Sequence, residues 1–555
     1  MIIPLFTNAS FAITKKPLAW KIENTSWTKA FEKSYEEFIA TLGKASRDGL
    51  CHTTNDCLRS PKANPRFYLL NPENLKDVFS DCADLPYILR AYFSWMNDLP
   101  FSFPVSLTPA TDLSEASIIV LAEIAVLEKE LEKVGFFKKQ IIKGNIRELK
   151  KKLYGGKASA DIRYNRYGNL INEKYYVKNG DSINNILSKV ELSISTASFR
   201  TNGGNNNTNA LFRDTYPINI SKNSIKAGSV LYDPNGHIAI VYEVSKTGKI
   251  HLIDAHPDNS LSNITYGEKF SRTAIEIGGG FSNWRPFSLA NSEVKATPNE
   301  ELADYSIEQF QKSDNYIFMG RTMNFYDYVR NKLSEGVLIY RPIQELTEIL
   351  EEICNDVKER NLSVVGATTA GIQNQNHPDK LPANIYGTDG DWETHSSPSR
   401  DARIKASIRE GRNVVDKMIK GYKDSDSAIL YDGVDLAGDL VKAYNKSTKK
   451  CNIEIKKTNG QLYSFNLHDV FVNIYKFSFD PYHCVELRWG LTDPESFKSC
   501  AQSKEKIDWY NAEQGLRNKI DRDYSMKMDF NLDELFSDPT AKLKQENISI
   551  RGIIR

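Results

Sequence analysis

Residues 236–256 read GHIAIVYEVSKTGKIHLIDAH, and this stretch decides the fold class. Two apolar runs, Ile238 to Val244 and Ile250 to Ala255, flank a polar turn at Ser245 to Lys249, the pattern of an antiparallel hairpin. By period 2, Ile238, Ile240, Tyr242 and Val244 form one face, while Ala239 and Val241 continue the face of His237 until Glu243 ends it. Both faces are apolar, so most of the strand is expected to be buried. A turn centred near Ser245 to Gly248 sets His237 opposite residues around 256, where Asp254 and His256 share a face. Either reaches the imidazole. Asp254 is the preferred partner, because a carboxylate on the second ring nitrogen fixes the tautomer and stabilises an imidazolium. His251 lies on the opposite face and is left out. Ser229 to Asp233 adds a strand upstream, so the chain from Gly228 is a meander.

Further upstream, DCADLPYILRAYFSW (81–95) places Leu85, Ile88, Leu89, Tyr92 and Phe93 at helical spacing, an amphipathic helix. Pro86 lacks an N–H and would clash with the carbonyl four residues back, that of Cys82, so it belongs in the first turn. Cys82 therefore lies at the helix N-terminus, where unpaired N–H groups and the positive end of the dipole favour a thiolate. A nucleophilic thiol needs a base, and His237 supplies one at a sheet edge. Gly236 before it is expected to let a substrate approach closely.

Asp81-Cys82 at a helix start, Gly236-His237-Ile238-Ala239-Ile240-Val241-Tyr242 opening a strand, and a polar residue on the next strand resemble the NlpC/P60 cysteine peptidases and amidases of the papain-like superfamily. The resemblance covers about 70–104 and 228–287. It implies Cys82 as nucleophile, His237 as base and Asp254 as orienting group, with His256 the alternative for the last role. Two departures bear on the substrate: Ala83-Asp84 stands where the family usually has Ser-Gly, and the 82 to 237 spacing is long. The resemblance implies an α+β fold: a papain-like domain over 17–290 with a large helical insertion at about 105–227. It also implies amide hydrolysis through a thioester, the peptide part of peptidoglycan as substrate, and no cofactor or metal.

The rest of the chain is read as a linker at 291–304, NSEVKATPNEELAD, and a second α+β domain of unassigned role over 305–555. Apolar positions Ile118, Leu121, Ile124, Leu127 and Leu131, followed by a basic run from Lys138 to Lys152, predict a helical hairpin between Asp112 and Leu153. NGGNNNTN at 202–209 reads as a surface loop and candidate lid edge. Asn459-Gly460 predicts a hairpin turn between CNIEIKK and QLYSFNL. Tyr386, Trp392 and Trp489 are candidate faces for sugars or peptides, and Asp389, Asp391 and Glu393 weaker candidates for Ca²⁺. A zinc site at His237, Asp254 and His256 is a lesser alternative that leaves Cys82 without a role.

Seven cysteines is an odd number. Cys51 and Cys57 flank a short polar loop, Cys484 and Cys500 bracket another, and Cys354 with Cys451 makes a third pair, which leaves Cys82 over. The alternative is seven reduced cysteines, with Cys354 a plain residue on an apolar helix face. Three disulfides with one free thiol point to an oxidising compartment, so a periplasmic or secreted protein is expected. MIIPLFTNASFA fits a signal-peptide remnant over 1–16, with Ser10 and Ala12 at the small-residue positions but no basic start; an apolar strand is the alternative. Lys and Arg number 72 against 71 Asp and Glu, so no global field holds a polyanion and nucleic acid is not an expected partner. Ile118 to Leu127 is about half of a bilayer span, so no integral membrane segment is expected. The 555 residues exceed one typical domain of ~100–200. The chain thus reads as an exported thiol hydrolase. The alternatives are a transglutaminase-like acyl or peptide transferase using the same residues, and a non-catalytic wall-binding protein.

Overall fold

The structure, a computed structural model, describes residues 15–554 except 71–72, 112–114, 132–133, 154–160, 166, 205–212, 291–292, 312, 314, 383–389, 396–397, 501 and 522–526. The signal-like segment 1–12, most of the 202–209 loop, and Tyr386 with Asp389 lie outside the described residues.

The first helices are α1 (Lys29–Arg47), the short α2 (Thr54–Arg59) and α3 (Asp84–Met96). In α1 the spacing of Tyr35, Phe38, Ile39, Leu42 and Ala45 makes one apolar stripe, and all five are buried. The helix after Cys82 was expected to be amphipathic, yet every residue of α3 is buried. Its one cation, Arg90, is buried through an ion pair to Glu32 at 2.6 Å and lies 3.2 Å above the Trp27 ring.

Ser102–Pro109 (β1) pairs antiparallel with Asn169–Tyr176 (β2), and between them run α4 (Glu115–Leu131) and α5 (Phe136–Leu153). The expected helical hairpin is present, with Ile124, Ile142, Ile146 and Leu149 as its own small core. From the basic run, Lys138 and Lys150 pair with Glu130 and Glu128 across the hairpin. After α6 (Ile183–Ser193) and the short α7 (Thr196–Phe199) the chain enters the main sheet. The segment 105–227 is therefore not purely helical, since it also carries most of β1, all of β2 and a sheet-edge strand.

That sheet has six antiparallel strands: β3 (Thr215–Pro217), β4 (Val230–Asp233), β5 (His237–Val244), β6 (Ile250–Ala255), β7 (Leu261–Thr265) and β8 (Gly280–Trp284), in the order β3-β8-β4-β5-β6-β7. Strand alternation is as the sequence predicts up to Tyr242; Val244, expected on the face of Ile238, packs with the opposite core, because the bulge between Val241 and Glu243 shifts the register. Ile238, Ile240 and Tyr242 join the core formed with α1 and α3. Ala239 and Val241 join Leu252, Ile264 and Phe281 on the other face, beneath Phe325, Val329 and Leu333 of α8 (Phe325–Leu333).

The segment expected as a linker is packed. Phe287–Ala290 (β9) pairs with Glu293–Ala296 (β10), Arg285 donates to Asn299 Oδ1 at 2.7 Å, and Asp304 accepts from Tyr216 and Asn283. Beyond a small hairpin, Tyr316–Phe318 (β11) with Arg321–Met323 (β12), the C-terminal half is mainly helical: α9 (Pro342–Thr369), α10 (Gly390–His395), α11 (Pro398–Lys423) and α12 (Leu436–Lys450). Asn452–Lys456 (β13) and Leu462–Asn466 (β14) form the hairpin expected at Asn459-Gly460. Trp392 and Trp489 are buried in hydrophobic clusters and offer no face to a ligand. Asp391 accepts from the Tyr482 hydroxyl and Glu393 pairs with Arg163, so neither is set aside for Ca²⁺.

Three disulfides join Cys51–Cys57, Cys354–Cys451 and Cys484–Cys500, and Cys82 is free. No helix among the described residues is long and apolar enough to cross a membrane.

Candidate active site

Cys82 precedes α3 by two residues. The Asp81 carboxylate accepts from the Ala83 and Asp84 backbone N–H groups at 2.8 and 3.0 Å, which makes it the working cap of the helix. The backbone of Ile238, the second residue of β5, lies beside the Cys82 sulfur and favours its thiolate. Cys82 is partly exposed, yet its sulfur is closely surrounded. Burial is the main force pushing the thiol well above its ordinary pKa, and the charge of Asp81 adds to it. The helix terminus was expected to favour a thiolate. It does not prevail, because Asp81 uses those N–H groups and sets a negative charge beside the sulfur.

His237 opens β5, and its Nε2 bonds Asp254 Oδ2 on β6. The ladder pairs Val244 with Ile250 and Ile240 with Ile253, with a bulge between Val241 and Glu243, and this register carries Asp254 to the imidazole. Asp254 Oδ1 accepts from the Ser262 hydroxyl of β7, and Ser262 Oγ lies 2.9 Å from His256 Nε2. His256 stacks at 6.2 Å from the His237 ring but stands 3.9 Å from Asp254 Oδ2, outside hydrogen-bonding distance. Asp254, not His256, thus holds His237, and Ser262 bridges the two acidic and basic partners. Among the described residues no hydrogen bond joins Cys82 to His237, and Nδ1 is the imidazole nitrogen left for a thiol or substrate.

Sequence reasoning missed α11. Arg403 Nη1 lies 3.8 Å from Asp254 Oδ2, and the charge of Arg400 bears on His256 and Asp258. Burial lowers the His237 pKa and Arg403 lowers it further, against the pull of Asp254. Burial works against Asp254 ionising, but His256, His237 and Arg403 together hold its carboxyl well below the usual range. At neutral pH the site therefore holds a neutral thiol, a neutral imidazole and a carboxylate. No motif spacing marks Arg400 or Arg403, which lie some 150 residues beyond Asp254 in the sequence. Ser262, eight residues after Asp254, is missed as well, since the sequence reading places no strand just beyond Ala255.

The approach to Gly236 also differs from expectation. Gly236 has φ of +84°, and a Cβ there would lie 2.9 Å from the Tyr164 hydroxyl. The glycine serves the left-handed turn and leaves room for Tyr164, so that space is filled by the protein itself.

No family model, curated protein or solved structure matches this chain.

Proposed function

We propose that the chain is a thiol hydrolase of amide bonds, using Cys82 as nucleophile, His237 as base and Asp254 as the group that orients His237. The single observation that carries this reading is the convergence on β5: the one free cysteine sits beside the backbone of Ile238, and the neighbouring His237 has its Nε2 held by Asp254. With thiol and imidazole both neutral, attack on the carbonyl is coupled to transfer of the thiol proton to His237 Nδ1. His237 then returns that proton to the leaving amine, and water releases the acyl group from the thioester. The peptide part of peptidoglycan is the proposed substrate, on the resemblance to NlpC/P60 enzymes. Three disulfides support a periplasmic or secreted location.

Purified muropeptides, with and without an added amine, test the proposal. Wild type is expected to cleave them, Cys82→Ala and His237→Ala to fall to background, and Asp254→Asn to retain turnover ~10²-fold down. Ligation of the added amine in place of hydrolysis identifies a transferase. Equal cleavage by Cys82→Ala removes the proposal.

A further inference from the structure

In the C-terminal half, three side chains from distant parts of the chain meet in the interior: His377 beyond α9, Asp480 in the loop ahead of helix Val485–Arg488, and Glu513 after helix Lys504–Ala512. One ligand atom from each lies within 4.8 Å of the other two. All three side chains have zero solvent exposure.

The hydrogen bonds around the cluster make its chemistry specific. His377 Nδ1 lies 2.6 Å from the Pro378 carbonyl oxygen, which only accepts, so Nδ1 carries a proton, and in the neutral ring Nε2 presents a lone pair. That lone pair faces Asp480 Oδ2 at 3.0 Å. Asp480 Oδ1 is already occupied by the Tyr482 backbone N–H at 2.7 Å. The neighbouring His483 Nε2 also stands 3.3 Å from Asp480 Oδ2, but it donates to the Lys506 carbonyl at 2.8 Å, and its Nδ1 bonds Ser478 Oγ at 2.7 Å. With the imidazole neutral and the carboxylates ionised, none of His377 Nε2, Asp480 Oδ2 and the two Glu513 carboxylate oxygens takes a hydrogen bond from a described residue. The nearest cation to Glu513, Arg517, stands 3.8 Å from it and donates to the Tyr510 carbonyl and Gln514. The Trp509 ring stacks on His377 at 4.2 Å and fixes the imidazole plane.

Four buried lone-pair atoms facing one another repel unless a positive charge lies among them. An imidazole whose far nitrogen donates to a carbonyl is the arrangement that orients a metal ligand. We propose that His377 Nε2, Asp480 Oδ2 and a carboxylate oxygen of Glu513 bind one Zn²⁺ or a similar divalent transition-metal ion. One nitrogen and two carboxylates suit such an ion, whereas Mg²⁺ keeps several waters and would not fit a dry cage. The enclosed position makes the site structural: it ties three chain segments together within the fold.

The test uses the full chain with disulfides intact, unfolded in EDTA and refolded with Zn²⁺ alone, with Mn²⁺ alone or without metal. Wild type is expected to retain one Zn²⁺ per chain after gel filtration, to melt higher than the metal-free sample, and to show only nitrogen and oxygen ligands by X-ray absorption. His377→Gln and Glu513→Gln are expected to lose the ion. Glu513→Gln also removes one of two facing carboxylates, so without metal it should melt no lower than metal-free wild type. Retention of neither Zn²⁺ nor Mn²⁺, with an unchanged melt, would mean that shared protons hold the cluster and overturns the proposal. Unchanged Zn²⁺ in both variants overturns it equally, and His377→Gln decides should Glu513→Gln fail to fold.

Discussion

The state of the Cys82 proton follows from a contest between a helix terminus and burial. The terminus contributes about 0.3–1 kcal/mol toward a thiolate when it is unscreened, and the Asp81 cap cancels that advantage. Burial therefore governs, and iodoacetamide labelling of the folded protein should be slow at pH 7, with a midpoint above the ~8.5 of a free thiol. A midpoint below that value would show a preformed thiolate and imidazolium pair. The bonding of His237 to Asp254 separates two substitutions as well. Ser262→Ala should weaken the orientation of Asp254, whereas His256→Ala should cost less than Asp254→Asn, because His256 reaches the carboxylate through Ser262. A greater loss of muropeptide turnover in His256→Ala would reverse those roles.

Among the elements, the packing of α1 on β5 sets helix propensity against close packing. Gly43 sits inside α1, where alanine is ordinarily favoured by about 1 kcal/mol. A Cβ at that position would lie 2.3 Å from Tyr242 Cβ and Cγ, so the helix and strand approach only because the side chain is missing. Gly43→Ala should therefore destabilise the protein by about 1–3 kcal/mol, the usual cost of overpacking. Urea unfolding measures it, and a more stable variant would mean that α1 shifts freely on the sheet. This contact supports the site indirectly, since Tyr242 belongs to the strand that His237 opens.

Across the whole molecule, the two halves share the candidate site. Helix α8 completes the core under the sheet, and α11 brings Arg403 to Asp254. Arg403→Gln should raise the His237 pKa, since a nearby positive charge disfavours imidazolium. The acid limb of the pH–activity profile would then move to higher pH, and NMR titration of His237 reads the same change without activity. An unmoved titration would show that Arg403 is screened from the site. The disulfides divide by the length of loop they close. Cys354–Cys451 joins residues 97 apart and Cys51–Cys57 residues 6 apart, so chain entropy assigns about 4.7 kcal/mol to the first and roughly 2 to the second. Replacing the first pair by alanines should lower the melting temperature more than replacing the second. The opposite order would place the stabilisation in local packing.

Period-2 alternation determined which residues of β5 face each core as far as Tyr242, where the bulge intervenes, Pro86 located the start of α3, and the odd cysteine number set Cys82 apart. These are local properties, carried by neighbours along the chain. The Asn459-Gly460 turn was legible for the same reason, because left-handed backbone at one residue is enough to specify it. The tertiary structure decided what depends on residues distant in sequence: Arg400 and Arg403 at the imidazoles, Tyr164 over Gly236, the packing of 293–304 against the sheet, and the meeting of His377, Asp480 and Glu513. Charge state belongs to this second group. It is set by how densely the fold surrounds an atom and by which charges it brings near, and neither is written in the spacing of a motif.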